Sequence, residues 1–199
     1  MLFRSLGCGH GILGGELSKR GCEVWFADAE DVLPANASRA RFKQINIDQE
    51  ALSKLGRFDW VICSNVYEHL SKPWQFLEQV PDILNPNGYL YLSWTNWLSP
   101  WGGHEFSPFH YLGPRRGPHL YDRIIGRPRI HTPYVDLFPT YIGQTLRQLR
   151  KHPRLKVLKV VPRYYPELAW VTRIPWLREF ITWNCALLLQ GRALTPARD

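Results

Sequence analysis

The chain has little cysteine, and its thiols show no redox or metal motif. Cys8, Cys22, Cys63 and Cys185 lack the C-x-x-C spacing that thioredoxin-like and zinc-binding proteins use. Three of the four lie in or beside apolar runs, which predicts reduced, buried thiols in a cytosolic protein.

Long apolar runs are also missing. No run approaches the roughly 20 residues that a membrane-spanning helix needs. The chain starts inside a predicted strand, so we expect no signal peptide. Repeats and low-complexity tracts are absent, and 199 residues are enough for one domain with a full core. We therefore expect a cytoplasmic protein, with contact at the inner face of a membrane as a further expectation.

Acidic residues are scarce in the second part of the chain. Residues 1–113 carry nine Lys or Arg and twelve Asp or Glu, a net charge of −3, whereas residues 114–199 carry sixteen and five, a net charge of +11. Such a surface predicts anionic partners, namely phosphate-bearing substrates, acidic lipid headgroups or nucleic acid, or else a solvated face that only aids solubility. Two histidines interleave with its first arginines, which are Arg115, Arg116, Arg123, Arg127 and Arg129.

A glycine-rich turn follows the first predicted strand. The motif is Gly7-Cys8-Gly9-His10-Gly11, and Asp28 closes a second apolar run seventeen residues after Gly11. Strand, glycine turn, helix, strand and acid form the opening of a nucleotide-binding α/β sheet. Glycines let the backbone approach a ligand, the helix start presents free amides, and the carboxylate of Asp28 can accept both ribose hydroxyls. We therefore expect an adenosine-containing cofactor.

Spacing alone leaves the cofactor open. The pattern Gly7-x-Gly9-x-Gly11 is typical of S-adenosylmethionine enzymes, whereas residues 9–14 also satisfy the dinucleotide pattern G-x-G-x-x-G. A plain turn between strand and helix is the remaining alternative.

Later segments break this tie. The sequence resembles the class I S-adenosylmethionine-dependent methyltransferases over roughly residues 2–100, and more weakly in its final strands. The matching segments are Leu6-Gly7-Cys8-Gly9-His10-Gly11, Ala27-Asp28, Ile47-Asp48, Phe58-Asp59-Trp60-Val61-Ile62-Cys63-Ser64-Asn65-Val66-Tyr67-Glu68-His69-Leu70 and Leu84-Asn85-Pro86-Asn87-Gly88-Tyr89-Leu90.

The predicted fold is α/β, a Rossmann-like doubly wound sheet of about seven strands. Alternating strands near 2–6, 23–27, 41–47, 58–64 and 88–94 predict a parallel sheet with helices on both faces. A helix is expected from Pro73 to about Leu84 and another near 140–151. The resemblance implies that apolar segments at 156–161 and 184–189 form a final antiparallel pair. We expect a single domain, 1–199, with a long loop at about 94–135 and an aromatic insert at about 163–182.

The resemblance implies S-adenosyl-L-methionine as cofactor. Backbone of the glycine loop would cradle its methionine portion, Asp28 would hold the ribose, Asp48 would face the adenine, and Asn65 would lie beside it. Family members often carry an acid where this chain has Ser5, and helices before the first strand. We expect another subunit or the C-terminal half to cover the site if the chain is not shortened. The full predicted set is Gly7, Cys8, Gly9, Gly11, Asp28, Ala29, Asp48, Asn65 and His69.

The acceptor side is expected in the histidine-rich segment after the fifth strand. His104 and His110 titrate near neutral pH and could take a proton from a hydroxyl, with Glu105 orienting either. The alternative is that these histidines only tie down the loop. His69 is a second candidate base, although packing or cofactor contact is expected there. The spacing of His104, Glu105 and His110 matches no recognised metal-ligand pattern, so no metal is predicted.

These observations predict an O-methyltransferase acting on a sugar, a polar lipid or a lipid-linked glycan. The amino-methylating motif Asn-Pro-Pro-aromatic is missing, because the fourth strand ends Cys63-Ser64-Asn65-Val66, and this argues against a nucleobase acceptor and a nucleic-acid partner. Alternatives are a methyltransferase for RNA or a small aromatic metabolite, an NAD(P)-dependent oxidoreductase, and a non-catalytic methyltransferase-like module. In the insert, Arg173, Trp176 and Arg178 are expected to meet an anionic membrane or lipid-bearing acceptor, unless its aromatics form a packed lid.

Overall fold

One twisted sheet organises the molecule. The computed structural model describes residues 1–34 and 41–192. Within these residues seven strands pair in the order β3-β2-β1-β4-β5-β7-β6. All adjacent pairs are parallel except those made by β7, which runs antiparallel to β5 and β6. This confirms the predicted fold class. The strands are β1 (Leu2–Leu6), β2 (Glu23–Asp28), β3 (Phe42–Gln44), β4 (Phe58–Ser64), β5 (Leu84–Thr95), β6 (Leu155–Pro162) and β7 (Asn184–Gly191).

Five α-helices lie within the described ranges. They are α1 (Ile12–Lys19), α2 (Pro73–Gln79), α3 (Gly113–Ile125), α4 (Ile142–Lys151) and α5 (Pro175–Ile181). None of the helices in this part of the chain is long and apolar enough to cross a bilayer. Part of the segment between β2 and β3, residues 35–40, and the end of the predicted domain, residues 193–199, lie outside the described residues.

Some element boundaries differ from the sequence prediction. The helix expected to reach Leu84 ends at Gln79 and continues as a 3-10 turn, Val80–Ile83, because Pro81 has no amide to donate. β5 consequently begins at Leu84, earlier than predicted. β3 is shorter than expected, with three residues, and its side chains are mostly exposed.

The core lies where the central strands are covered on both faces. Leu6, Val61 and Leu92 are almost completely buried, as expected for inner strands of a parallel sheet. Trp94 near the end of β5 is fully buried and packs its ring 5.3 Å from that of Tyr67. This packing fixes the segment after β4, which carries His69, against the sheet.

The segment at 94–135 is not the long loop that the sequence predicted. It contains α3, thirteen residues long, and two 3-10 turns, His104–Phe106 and Phe109–Leu112. Tyr121 anchors α3 in a small cluster with Trp97 and Phe106. Gly126 ends the helix at φ 64°, with its amide donating to the carbonyl of Asp122 at 3.1 Å. Of the glycines and prolines that suggested a loop, those at 113, 114 and 126 lie at the ends of the helix, and Gly117 and Pro118 are buried within it.

The aromatic insert forms short helices. A 3-10 stretch, Pro166–Arg173, precedes α5, and prolines begin both. Several of its aromatic side chains face solvent instead of packing over the sheet. Trp170 is 53% exposed and Trp176 is 69% exposed.

Candidate functional site

The glycine loop forms an open cradle between β1 and α1. Gly7, Gly9 and Gly11 have φ values of 59°, 49° and 70°, which residues other than glycine rarely adopt. A Cβ at Gly7 would lie 2.3 Å from Cγ2 of Val66, so packing also requires glycine there. At Gly9, by contrast, a Cβ would meet no atom of the described residues within 4 Å. The backbone of Gly9 therefore borders space that a ligand can fill.

Asp28 lies directly beside this cradle at the end of β2. Its Oδ2 accepts a hydrogen bond from the amide of Gly9 at 2.7 Å, and its Oδ1 accepts one from the amide of Glu30 at 3.3 Å. Ala29 is exposed next to it. Burial, followed by the charge of Asp28, raises the pKa of the Cys8 thiol to about 11, so Cys8 is a neutral thiol at the loop. The structure therefore brings the predicted loop and the predicted acid together.

The next two predicted cofactor residues take part in networks of their own. Asp48 accepts hydrogen bonds from the amides of Ser71 and Lys72, at 2.9 and 3.4 Å. Asn65, exposed and at φ 55°, follows β4, and its amide donates to Ser93 of β5. Both residues lie past the carboxyl ends of their strands, the edge at which α/β sheets bind ligands.

The side chain of Asn65 is held by the last part of the sheet. Its Oδ1 accepts hydrogen bonds from Nδ2 of Asn184 at 2.8 Å and from the guanidinium of Arg163 at 3.1 Å. Arg163 also donates to Oγ of Ser93 at 3.3 Å. These three partners were not among the sequence candidates, and no local motif marks them.

Three histidines converge beyond the end of β4. One ring nitrogen from each of His69, His104 and His131 lies within 4.8 Å of those of the other two. The ring of His104 is 4.7 Å from that of His131 and 5.5 Å from that of His69, measured between centroids. All three are partly buried. We call these three residues the histidine cluster.

Hydrogen bonds fix two of these rings and their tautomers. Nδ1 of His69 lies 2.6 Å from the carbonyl oxygen of Asp136, and Nδ1 of His131 lies 2.8 Å from Oε2 of Glu105. Because both partners only accept, each Nδ1 carries a proton, and in the neutral tautomer each Nε2 has the lone pair. The remaining oxygen of Glu105 accepts from the amides of Ile130 and His131, at 2.7 and 2.6 Å.

Burial keeps the ring of His104 uncharged near neutral pH. Burial, and after it the rings of His131 and His69, lower the pKa of His104 to about 4. Its Nδ1 is buried and has no hydrogen-bond partner within the described part of the chain. Burial opposes ionisation of Glu105, but the hydrogen bonds from His131 prevail and lower the pKa of its carboxyl. The anionic carboxylate of Glu105 thus lies behind the ring of His131, next to an uncharged His104.

The structure separates the predicted acceptor residues into two groups. His104 lies in the cluster, and Glu105 reaches it through His131. His110 is completely buried, with Nε2 2.9 Å from the carbonyl of Ser99 and its ring packed edge-on to Trp97. A buried ring of this kind ties down the loop and cannot reach an acceptor, so we do not carry His110 forward as a base.

His131 is the functional candidate that sequence reasoning missed. In the sequence it stands among the arginines of the basic part of the chain, 62 residues beyond His69. The segment after α3 returns it to the sheet, where the amide of Phe138 donates to the carbonyl of Glu68 at 2.7 Å. Only the course of α3, which the sequence did not reveal, brings these residues together.

Known proteins match this chain in sequence. A family model described as "Methyltransferase domain" matches residues 5–124. A protein of Mycobacteroides abscessus named "Uncharacterized methyltransferase" is 38% identical over 135 residues, which cover 67% of this chain and 51% of that protein. The chain thus spans about half the length of the curated relatives it matches.

Solved structures are similar in fold at low identity. An S-adenosylmethionine-dependent methyltransferase from Mesorhizobium loti gives a TM-score of 0.64 at 17% identity, covering 94% of this chain and 90% of that one. The plantazolicin methyltransferase BpumL in complex with SAH gives 0.59 at 13% identity, covering 97% and 76%. Since the family model covers more than half of its residues and the fold agrees, the chain belongs to the methyltransferase-domain family.

Proposed function

We propose that the protein transfers a methyl group from S-adenosylmethionine to a hydroxyl oxygen of a sugar, a polar lipid or a lipid-linked glycan. The observation that carries the proposal is the presence of an open glycine cradle, backed by Asp28, together with a histidine cluster beyond the end of β4. Two of the similar structures are a named S-adenosylmethionine enzyme and a complex with SAH.

The residues at the cradle fit this cofactor. The backbone at Gly9 borders empty space, and the carboxylate beside it retains acceptor capacity for a ribose diol beyond its bonds to two amides. S-adenosylmethionine supplies a methyl group that is already activated on a sulfonium. The protein has to orient the two partners, exclude water and accept one proton. In this assignment Gly7, Gly9 and Gly11 hold the methionine portion, and Asp48 and Asn65 lie along the remainder.

The histidine cluster supplies the site for the acceptor proton. His104 is uncharged near pH 7, and the carboxylate of Glu105 stabilises positive charge that reaches His131. Glu105 is accordingly a positioning residue, since its oxygens are occupied by His131 and Ile130. We infer that the acceptor hydroxyl binds at this cluster.

The sheet order counts against the dinucleotide alternative. The common dinucleotide-binding order is 3-2-1-4-5-6, with parallel strands throughout. Here β7 inserts antiparallel between β5 and β6. Gly14, the third glycine of that pattern, lies in α1, where an added Cβ would lie 2.4 Å from Phe26. Because a third glycine that packs helix on sheet is also what the dinucleotide pattern requires, the sheet order alone counts against that alternative.

Two measurements test the proposed reaction. We expect calorimetry to show saturable binding of S-adenosylhomocysteine and none of NAD(H). We also expect methyl transfer from labelled S-adenosylmethionine to a hydroxyl-bearing member of a panel of sugars, glycolipids and phospholipids, with RNA and phenolic metabolites as the competing classes. Binding of NAD(H) in place of S-adenosylhomocysteine would contradict the cofactor assignment. Cofactor binding without transfer to any panel member would favour a non-catalytic module.

The exposed aromatic residues suit an acceptor with a lipid portion. Trp101 and Trp183 stack with centroids 4.5 Å apart, and both reach solvent together with Trp170 and Trp176. Tryptophan prefers the boundary between apolar and aqueous phases. We propose that this aromatic face meets a membrane or a lipid-bearing acceptor. The predicted role of Arg178 there is wrong, because it is only 9% exposed and its guanidinium is 3.4 Å from Glu179.

Replacing Trp170 and Trp176 together by alanine should reduce co-sedimentation with vesicles that contain acidic lipids. The exposed Arg173 lies between them, so binding should also weaken with added salt. A control outside the insert replaces Trp74, a half-buried tryptophan whose ring packs edge-on against His152. Equal sedimentation of wild type and the double variant would exclude these tryptophans from the contact, and failure of the wild type to sediment at low salt would contradict membrane contact and leave only a small-molecule acceptor.

A further inference from the structure

We propose that His69, His104 and His131 bind a divalent transition-metal ion, with zinc as the best match. The sequence predicted no metal, because His104, Glu105 and His110 have no ligand spacing. The structure replaces two members of that set. It brings in His69 and His131, whose ring nitrogens meet that of His104 within 4.8 Å. Imidazole nitrogen is a preferred ligand of zinc, copper, iron and nickel.

The lone pairs are free in the way that metal ligation requires. A histidine binds a metal through an unprotonated nitrogen, and the other nitrogen usually donates to a carbonyl or carboxylate. His69 donates to a backbone carbonyl and His131 donates to Glu105. Each Nε2 is therefore available. The buried Nδ1 of His104 has no partner among the described residues, and a buried polar atom without a partner is costly.

The scaffold around the cluster is built as a supporting shell. The guanidinium of Arg129 pairs with Asp122 on α3 at 2.7 and 3.1 Å and also donates to the carbonyl of His131 at 3.0 Å. Glu105 holds the backbone and the ring of the same histidine. His104 itself is kept at φ 50°, an uncommon backbone state for a residue with a side chain. These features orient three rings that would otherwise repel when protonated.

Three ligands leave one position open. Nitrogen–zinc bonds of about 2.0–2.1 Å in a tetrahedral site place ligand nitrogens roughly 3.4 Å apart, so modest movement of the rings closes the cluster on the ion. Three histidines with an open fourth position are the arrangement of catalytic zinc sites, whereas structural sites have four protein ligands. Metal binding stands on this geometry alone. Its use in lowering the pKa of an acceptor hydroxyl rests on the proposed function.

Zinc titration of the untagged protein tests the site. We expect one zinc ion per chain after dialysis, by elemental analysis, and a rise in Tm with zinc. His69→Ala and His131→Ala should lose the ion. Glu105→Gln keeps the shape of the side chain and should weaken zinc affinity by roughly 10–100-fold through loss of orientation. His119→Ala, on the exposed side of α3, is the matched control and should bind zinc normally.

Two outcomes would overturn the proposal. Failure of the wild type to retain zinc is one, and it needs no variant to fold. Equal zinc retention by folded His131→Ala and by His119→Ala is the other. Because these measurements use neither S-adenosylmethionine nor an acceptor, they can fail while methyl transfer succeeds, and the reverse.

Discussion

Replacing His104 by alanine should lower the rate of methyl transfer by about 100-fold or more and leave the affinity for S-adenosylhomocysteine unchanged. Loss of a positioned proton acceptor costs roughly 10²–10⁴-fold in rate. His104 lies in the histidine cluster, whereas the cofactor residues lie on the glycine loop and at the ends of β2 and β4. Turnover should be measured with the acceptor found in the panel, and cofactor binding by calorimetry.

The control for this experiment is His119→Ala. It removes an exposed imidazole from α3 and should leave turnover unchanged. Near-normal turnover of His104→Ala would refute the assignment of the acceptor site while leaving the cofactor site intact, and His69 would become the residue to replace. The two roles proposed for His104 exclude each other at one nitrogen, since a metal-bound lone pair cannot take a proton. Turnover that persists in metal-free protein would favour the base.

Asp28→Ala should weaken binding of S-adenosylhomocysteine by about 1–3 kcal/mol. The ribose would lose a charged hydrogen-bond acceptor, and such bonds contribute about that amount. The amide of Gly9 would also lose its 2.7 Å bond and with it part of the geometry of the loop. Calorimetry measures the change directly.

Glu30→Gln is a close control for Asp28. Glu30 is exposed two residues further along, so its replacement removes one negative charge from nearly the same place. We expect it to bind the cofactor product normally. If Asp28→Ala folds and binds as tightly as Glu30→Gln, the ribose assignment is wrong.

The geometry of the glycine loop and its neighbouring acid could be predicted because its determinants are local. Glycines, a strand and an acid at fixed spacing specify one turn, and the structure places Asp28 on Gly9 as that spacing requires. The histidine cluster could not be predicted. His69, His104 and His131 come from separate segments, and a helix rich in glycine and proline determines where the last of them lies.

His110 likewise shows that sequence reasoning cannot supply tertiary packing. Its residue type and its position near His104 fitted a base, but solvent access decides whether a histidine can act, and access depends on tertiary packing. The ring is enclosed by Trp97 and Tyr111. Likewise, the charge of Arg178 suited a phosphate contact, but the side chain is buried beside Glu179.

The position of β7 imposes an order on assembly during synthesis. β6 leaves the ribosome before β7 but reaches the sheet only through it. Asn184, the first residue of β7, donates a hydrogen bond to Asn65, which lies 119 residues earlier in the chain. A nascent chain that stops before this strand therefore has its glycine loop but lacks this hydrogen bond. The strands that would hold the cofactor are therefore synthesised first, and β7, which completes the sheet beside them, is synthesised after the other six strands. Premature termination before Asn184 would leave β5 as an unprotected apolar edge prone to aggregation.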